Sequence, residues 1–468
     1  MEFEHRHSNS SSIHTAHHDG SHMTASGQRH LDDAVEEYNH NHDYTRNHND
    51  NANTNTNNQQ PQLPPRDGGR DAWLFLAACF MIEALASHSP SAFSKITTAR
   101  TSRSSSRATL LPVGPARWKS STFYPPSSLA YCWPSPTEAV RHPLGFLIMC
   151  VAIALSSFAT NTTHLLLMQG IGYGVGASLT YAPTILFMEE WFVNKRGLAF
   201  GIMWAGTGVS GVVLPVFLQW LLNAHGFRTT LRVWSVVLFI LTAPLLYFVK
   251  PRLPIAQSAS MRPFDFSFLW NRTFLIFQLG NVLEALGFFL PSIYLPTYAS
   301  HTLGASNLVA SLTVILVNLA SVFGCIIMGM LVDRCHVTTC IFISTVGSTV
   351  AIFLLWGFSL TLAPLFIFCI AYGIFAGPFS ATWPAIMKEV QKNANSAEPT
   401  IVFAFLAAGR GIGNVVSGPL SEKLLQGFPW RDAAGGAYGS GYGTLIVFTG
   451  ITAFLGGLSV LARPLRLL

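Results

Sequence analysis

The stretch Glu189–Gly211 reads EEWFVNKRGLAFGIMWAGTGVSG. A knot of charge, Glu189, Glu190, Lys195 and Arg196, separates two long apolar runs, and the second run opens with small residues at Gly197, Ala199, Gly201, Ala205, Gly206, Gly208 and Gly211. At helical spacing this set leaves one helix face almost without side chains. A bare face lets a neighbouring backbone come close, which matters most in lipid, where no hydrophobic force draws helices together. Ordinary small-residue packing accounts for any single glycine; the whole set points to a closely packed membrane helix.

The bulk composition agrees. Half of the 468 residues are hydrophobic and 11% are charged, with a mean hydropathy of +0.38, whereas soluble domains carry about 25% charged residues. The first sixty-odd residues are polar, so the remainder is more apolar still. The chain is therefore expected to be an all-α polytopic membrane protein. Its net charge of +6 comes from bases that flank apolar spans. They read as topology signals and not as a nucleic-acid surface. The seven cysteines are scattered without a CxxC pair and mostly sit in apolar runs, where cysteine behaves as a small hydrophobe. No metal site or disulfide is expected, and no cleavable signal peptide precedes the first apolar run near Ala72.

Residues 1–66 form a His-, Asn- and Ser-rich tail holding ten of the sixteen histidines. Such a tract cannot bury enough apolar area to fold, so disorder without a ligand is expected. Apolar runs long enough to cross a bilayer fall near 72–87, 143–160, 164–188, 197–222, 229–249, 273–298, 305–332, 336–358, 362–387, 397–424 and 441–462, about eleven in all. With both termini in the cytosol, the bases from residue 137 onward divide twelve inside to four outside, a positive-inside bias. That alternation needs an even number of spans, and eleven is odd.

The anomaly lies at 87–142, a Ser-, Thr-, Arg- and Pro-rich stretch with no run able to cross. It reads either as a large disordered loop or as a wrong reading frame from a frameshift or mis-splicing. Read from the third base of permitted codons, one result for Ser87–Ser102 is PFPFGVFQDYYSTHE, and one for Gly114–Cys132 is TCAMEIIYLLSPLVLGLL, a plausible span. On this reading the end of span 1 and all of span 2 have been replaced; spans are numbered below as in the intact twelve-span chain.

Two motifs carry a family resemblance. Arg66–Leu85, RDGGRDAWLFLAACFMIEAL, resembles the first-span signature of the monocarboxylate-porter branch of the major facilitator superfamily, through Asp67, Gly68, Gly69 and Trp73; Arg70-Asp71 departs from it. The stretch from Trp191 resembles the second signature, through Trp191, Phe192, Lys195, Arg196, Leu198, Ala199 and Gly201. The wording is nearest to fungal members. GMLVDRC (Gly329–Cys335) resembles the superfamily's short loop motif, with Asp333 placed to cap a helix end or pair with an arginine, and Arg334 beside it.

The resemblance implies a major facilitator fold with two six-helix halves when intact: 67–250, a cytosolic loop at 251–272, and 273–468. It also implies a secondary transporter of a small organic anion, such as a monocarboxylate, coupled to a proton. The lipid bilayer is its setting, the plasma membrane its expected location, and no cofactor is implied.

Ionisable residues inside spans are costly and mark function. Arg410, in GRGIGN of span 11, is a natural clamp for a carboxylate, with Asn414 one turn on. Asn281 and Glu284 share a face of span 7, and Glu284 is placed to pair with Arg410 or carry a proton. A static Arg410–Glu284 pair pinning two helices is the plainer alternative. Glu83 lies in span 1. Trp383 and Pro384 interrupt span 10 where a gate would sit. GRGIGN follows no strand, so it is not a nucleotide loop; no GxxxxGK[ST], HExxH or Ser/His/Asp set occurs, and the chain is not expected to be an enzyme. Two other readings compete: a nutrient sensor with a transporter fold and no flux, and a non-functional product.

Sequencing the transcript across the codons for Glu83 to Leu144 decides the anomaly. The shifted frame is expected and restores twelve spans. A transcript that encodes 87–142 as printed would leave the chain without span 2, and no transport is then expected.

Overall fold

The computed structural model describes residues 64–86, 138–253, 266–394 and 397–462. The expectations for the tail, for the anomalous stretch before Glu138 and for most of the loop at 251–272 lie outside the described residues. Within them the chain is helical, with no strand.

The helices are α1 (Arg70–Ala86), α2 (Glu138–Ser156), α3 (Tyr173–Trp191), α4 (Arg196–Leu246), α5 (Arg272–His301), α6 (Asn307–Arg334), α7 (Val337–Val350), α8 (Leu362–Phe375), α9 (Trp383–Asn393), α10 (Pro399–Leu425) and α11 (Gly443–Gly456). A π-helical segment, Leu166–Gly172, leads into α3, and another, Ala351–Trp356, extends α7. Spans 5 and 6 are the two arms of α4. Helical bonding runs almost unbroken across them, but Gly226 (φ 75°) turns the chain. The ring centroids of Phe217 and Trp234 lie 6.2 Å apart, so the arms fold back on each other. A positive φ of this size is easy only for glycine. Span 10 also comes in two pieces, α8 and α9, joined by a 3₁₀ turn at Gly377–Thr382 just before Trp383 and Pro384. Seven of the described helices are long and apolar enough to cross a membrane by length and composition. Their outward faces carry Trp220, Phe239, Phe323 and Phe454, all exposed, as a lipid-facing surface requires.

Local chemistry starts and supports these helices. The Asn271 side chain caps α5 by accepting from the Thr273 N–H at 2.9 Å, and Pro399 takes the first turn of α10. Buried hydroxyls return to the carbonyl three or four residues back, as Ser178 does to Gly174 and Thr180 to Gly176. In a medium without water this satisfies groups that would otherwise be stranded.

The bare face of α4 answers the question raised by its sequence. It lies on α6 with backbones in near contact. A Cβ added to Gly197 would stand 2.5 Å from the Gly329 carbonyl, one on Gly208 2.7 Å from the Asn318 carbonyl, and one on Gly201 against the Cys325 carbonyl. Gly206 turns the other way, toward the Phe80 carbonyl of α1. The end of the bundle where α4 begins, carrying Asp67, Lys195, Lys250 and Asp333, is here called the basic end. There one hydrophobic core runs through α1, α3, α4, α5, α6, α7, α9 and α10. Toward the opposite end it gives way to two separate cores, one within α1–α4 and one within α5–α11.

Replacing Gly201 with leucine is therefore expected to destabilise the chain by about 1–3 kcal/mol through overpacking. Thermal unfolding of the purified protein in detergent checks this against Gly68→Ala, where an added Cβ meets nothing within 4 Å. Equal midpoints for the two variants would refute the close seam.

Candidate functional site

At the basic end the two signatures meet. Asp67 takes a left-handed backbone (φ 57°), with Gly69 following at φ 88°. Its Oδ1 accepts the N–H groups of Val193, Asn194 and Lys195 at 2.8–2.9 Å, and its own N–H donates to the Trp191 carbonyl. The Asp-Gly-Gly turn thus grips the α3–α4 connection. Trp73 stands edge-on to Phe192, with centroids 6.0 Å apart, and Trp191 donates from Nε1 to the Lys250 carbonyl at 3.0 Å. Arg196 pairs with Glu189 at 2.7 Å. Glu190 accepts the N–H groups of Arg252 and Leu253 at 2.9 and 3.1 Å. The Lys195 side chain is exposed, and only its N–H takes part.

Asp333 caps a helix, and among the described residues it makes no ion pair with an arginine. Its two carboxylate oxygens accept the Gly197 and Leu198 N–H groups, at 2.6 and 2.8 Å. A carboxylate at a helix N-terminus meets both free donors and the positive end of the helix dipole. Arg334 is exposed and makes no ion pair among the described residues.

Halfway through the bundle lie the buried ionisable groups. Arg410 is eleven residues into α10, roughly 16 Å from its start at 1.5 Å per residue, hence near the middle of a core about 30 Å thick. Its Nη1 lies 2.6 Å from Glu284 Oε2, with the side chains only 13% and 8% exposed. The guanidinium rests over Phe288 at 4.3 Å, an added cation–π contact. A cavity of about 10 Å³ beside Glu284 is lined by Phe288, Ser344, Ser348, Tyr372 and Thr449, which is room for about one water. Glu284 itself occupies the position an anion would take on Arg410.

Asn281 is fully buried, but it faces α10: its Nδ2 donates to the Leu406 carbonyl at 2.7 Å. Gln278, one turn earlier, does the same to Phe405 at 2.8 Å. Both pin α5 to α10 rather than line the cavity. Asn414 is half-buried, a turn beyond Arg410, with no side-chain hydrogen bond among the described residues. Glu83 is buried and accepts from Thr207 Oγ1 at 2.6 Å and from the Tyr181 hydroxyl.

Between this level and the basic end sits an aromatic cluster. Trp204 stacks on Phe403 (6.1 Å, 10°), stands edge-on to Trp383 (5.6 Å) and lies beside Phe200 (5.4 Å). Its Nε1 donates to the Tyr181 hydroxyl at 2.9 Å. The cluster joins α3, α4, α9 and α10. Trp383 was legible from its helix-breaking neighbour. Thr207, Tyr181, Trp204, Phe403 and Phe288 were not, because an aromatic or a threonine in an apolar run looks like any other.

The family described as Major Facilitator Superfamily matches residues 143–281 and 277–464. Similar proteins include the Agnestins efflux protein AgnL12 of Paecilomyces divaricatus, 26% identical over 69% of this chain and 70% of its own length. MFS-type transporter 1 of an Ophiocordyceps species is 29% identical over 53% of this chain and 55% of its own. Monocarboxylate transporter 10 of Danio rerio is 27% identical over 68% and 62%.

The buried pair carries a stability test. Arg410→Ala leaves Glu284 without its cation and is expected to cost about 3 kcal/mol or more. The Glu284→Ala/Arg410→Ala double variant should be less destabilised than that single variant, as read by thermal unfolding. A double variant as poor as the sum of the singles would show that the two groups do not act as a pair.

Proposed function

The chain belongs to the major facilitator superfamily, and from that premise we propose that it is a secondary transporter carrying a small organic anion, such as a monocarboxylate, together with a proton. One observation carries the anion reading: a guanidinium held at mid-depth in an aromatic setting, bound to a carboxylate at 2.6 Å. A buried arginine is always charged and its fork matches two carboxylate oxygens. An anionic substrate reaching this depth would compete with Glu284 for the same donors, so the internal pair is the resting form of the binding site. The aromatic cluster is the closed gate. The positive-inside bias favours the cytosol for the basic end and, in the intact form, for both termini, and the plasma membrane is the proposed location. A relative named as an efflux protein favours outward movement as the direction.

The test uses the reading-frame-restored chain in a host lacking its own carboxylate uptake, with labelled monocarboxylates and a set of aromatic acids. Arg410→Ala is expected to reduce flux at least a hundredfold, and Arg410→Lys, which keeps the charge but loses the fork, about tenfold or more, in line with about 1.5–3 kcal/mol per hydrogen bond to a charged group. Unchanged flux in Arg410→Ala would sink the clamp. Saturable binding without flux would instead identify a sensor.

A further inference from the structure

The two halves repeat a short pattern. α1 carries Glu83-Ala84-Leu85 and α5 carries Glu284-Ala285-Leu286, while α4 carries Ala205-Gly206-Thr207-Gly208 and α10 carries Ala408-Gly409-Arg410-Gly411. In each half the glutamate meets the residue held between two glycines. Thr207 Oγ1 donates to Glu83 at 2.6 Å, and Arg410 Nη1 donates to Glu284 at 2.6 Å. The depths match as well, since Glu83 lies thirteen residues on from Arg70 and Glu284 twelve on from Arg272. The same site is built twice, with a threonine in the first half where the second half has an arginine.

That exchange changes which protonation states each site accepts. A guanidinium has only donors, so it binds the ionised form of Glu284 and has nothing to offer a carboxylic O–H. A hydroxyl donates to a carboxylate and, by rotation, accepts from an acid. Glu83 has two such hydroxyls, Thr207 and Tyr181. Among the described residues, the other titratable groups facing it are Cys79 on its own helix and Cys325 of α6. Cys325 also lies within electrostatic reach of Arg410, whose charge is taken up by Glu284. A buried carboxyl among hydroxyls and thiols can gain or lose a proton without a change of partners.

We propose that Glu83 is the carboxyl that takes up and releases the coupled proton, with Thr207 and Tyr181 as its hydroxyl partners in both states, while Glu284 stays ionised against Arg410. This rests on the proton-coupled reading above. Uptake forms an O–H bond at Glu83 with a hydronium or water proton, and release returns that proton to water; no electrons move. The state of Glu83 is also passed to the gate. Ionised Glu83 accepts a hydrogen bond from the Tyr181 hydroxyl, whose oxygen in turn accepts from Trp204. Protonation of Glu83 alters this bond and with it the setting of the Trp204 ring against Phe403.

Infrared difference spectra of the purified full chain, between acid and alkaline buffer, test this without any flux measurement. A carbonyl stretch from a buried protonated carboxyl should appear on acidification, vanish in Glu83→Gln and persist in Glu284→Gln. Tryptophan fluorescence should change with the same midpoint and lose that change in Trp204→Phe. Thr207→Val keeps the side-chain shape and Glu83 but removes a donor to the ionised form, so the midpoint should rise by about one to two pH units, the size expected for a hydrogen bond to a charged group. A band that survives Glu83→Gln, or disappears in Glu284→Gln, overturns the assignment, as does a midpoint indifferent to Thr207→Val. Because no transport is read, a chain that carries nothing still answers, and failure of the uptake test leaves this result standing.

Discussion

The near-contact of the α4 and α6 backbones is the constraint on which the rest depends. Lipid supplies no hydrophobic force between helices, so the seam is held by van der Waals contact, which requires that glycines meet carbonyls with nothing between them. Once α4 is seated, its first N–H groups face Asp333, and the connection before it faces Asp67. Both acids bind backbone, not side chains. The geometry at the basic end therefore follows from where α4 begins, and this explains why the exposed Lys195 side chain can be absent from the network while its N–H is essential to it. Trp204, two turns on from Gly197, is then brought against Phe403 and Trp383 of the other half.

The interior handles polarity by degrees. Many hydroxyls bond back within their own helix. Asn281 and Gln278 reach across to carbonyls of α10 and lock α5 to it. The one buried ion pair described at mid-depth is more demanding, because removing either charge leaves the other stranded. Setting Arg410 on the face of Phe288 adds a weaker partner that stays in place when the carboxylate is exchanged. A guanidinium that keeps one partner while another leaves suits a site that must hold and release an anion.

Much of this was legible in the residues. Apolar run length located the described spans, because hydrocarbon thickness fixes helix length. The small-residue face of α4 announced a close neighbour but not which one. Arg410 and Glu284 were matched from chemistry alone, since a charge at that depth needs an opposite charge. The rest was hidden for definite reasons. Asp67 and its partners are more than 120 residues apart in sequence, and backbone acceptors leave no compositional trace. Asn281 shares a helix face with Glu284 and both reach α10, but Asn281 binds a main-chain carbonyl there, which leaves no trace in composition, whereas Glu284 binds a side chain. Thr207 carries no pairing signal in the residues around it, since a threonine in an apolar run is ordinary.

The seam that closes the basic end must also open if the bundle alternates, and its chemistry permits this. A seam of large interdigitated side chains would separate only by exposing much apolar surface to water. A glycine seam exposes little. The carboxylate caps at Asp67 and Asp333 lie at the membrane edge, where water replaces each lost bond and the net cost is about 0.5–1.5 kcal/mol apiece, somewhat more for a charged acceptor. The larger barrier is the aromatic cluster, which has few polar bonds to exchange. The Tyr181–Trp204 hydrogen bond is one such bond within it, and it leads directly to Glu83. The cluster is thus tied to a buried carboxyl, whereas the carboxyl of the second half is tied to a cation. On the proposed roles, two sites built on one pattern serve two needs, a fixed cation for the anion and a switchable acid beside the gate.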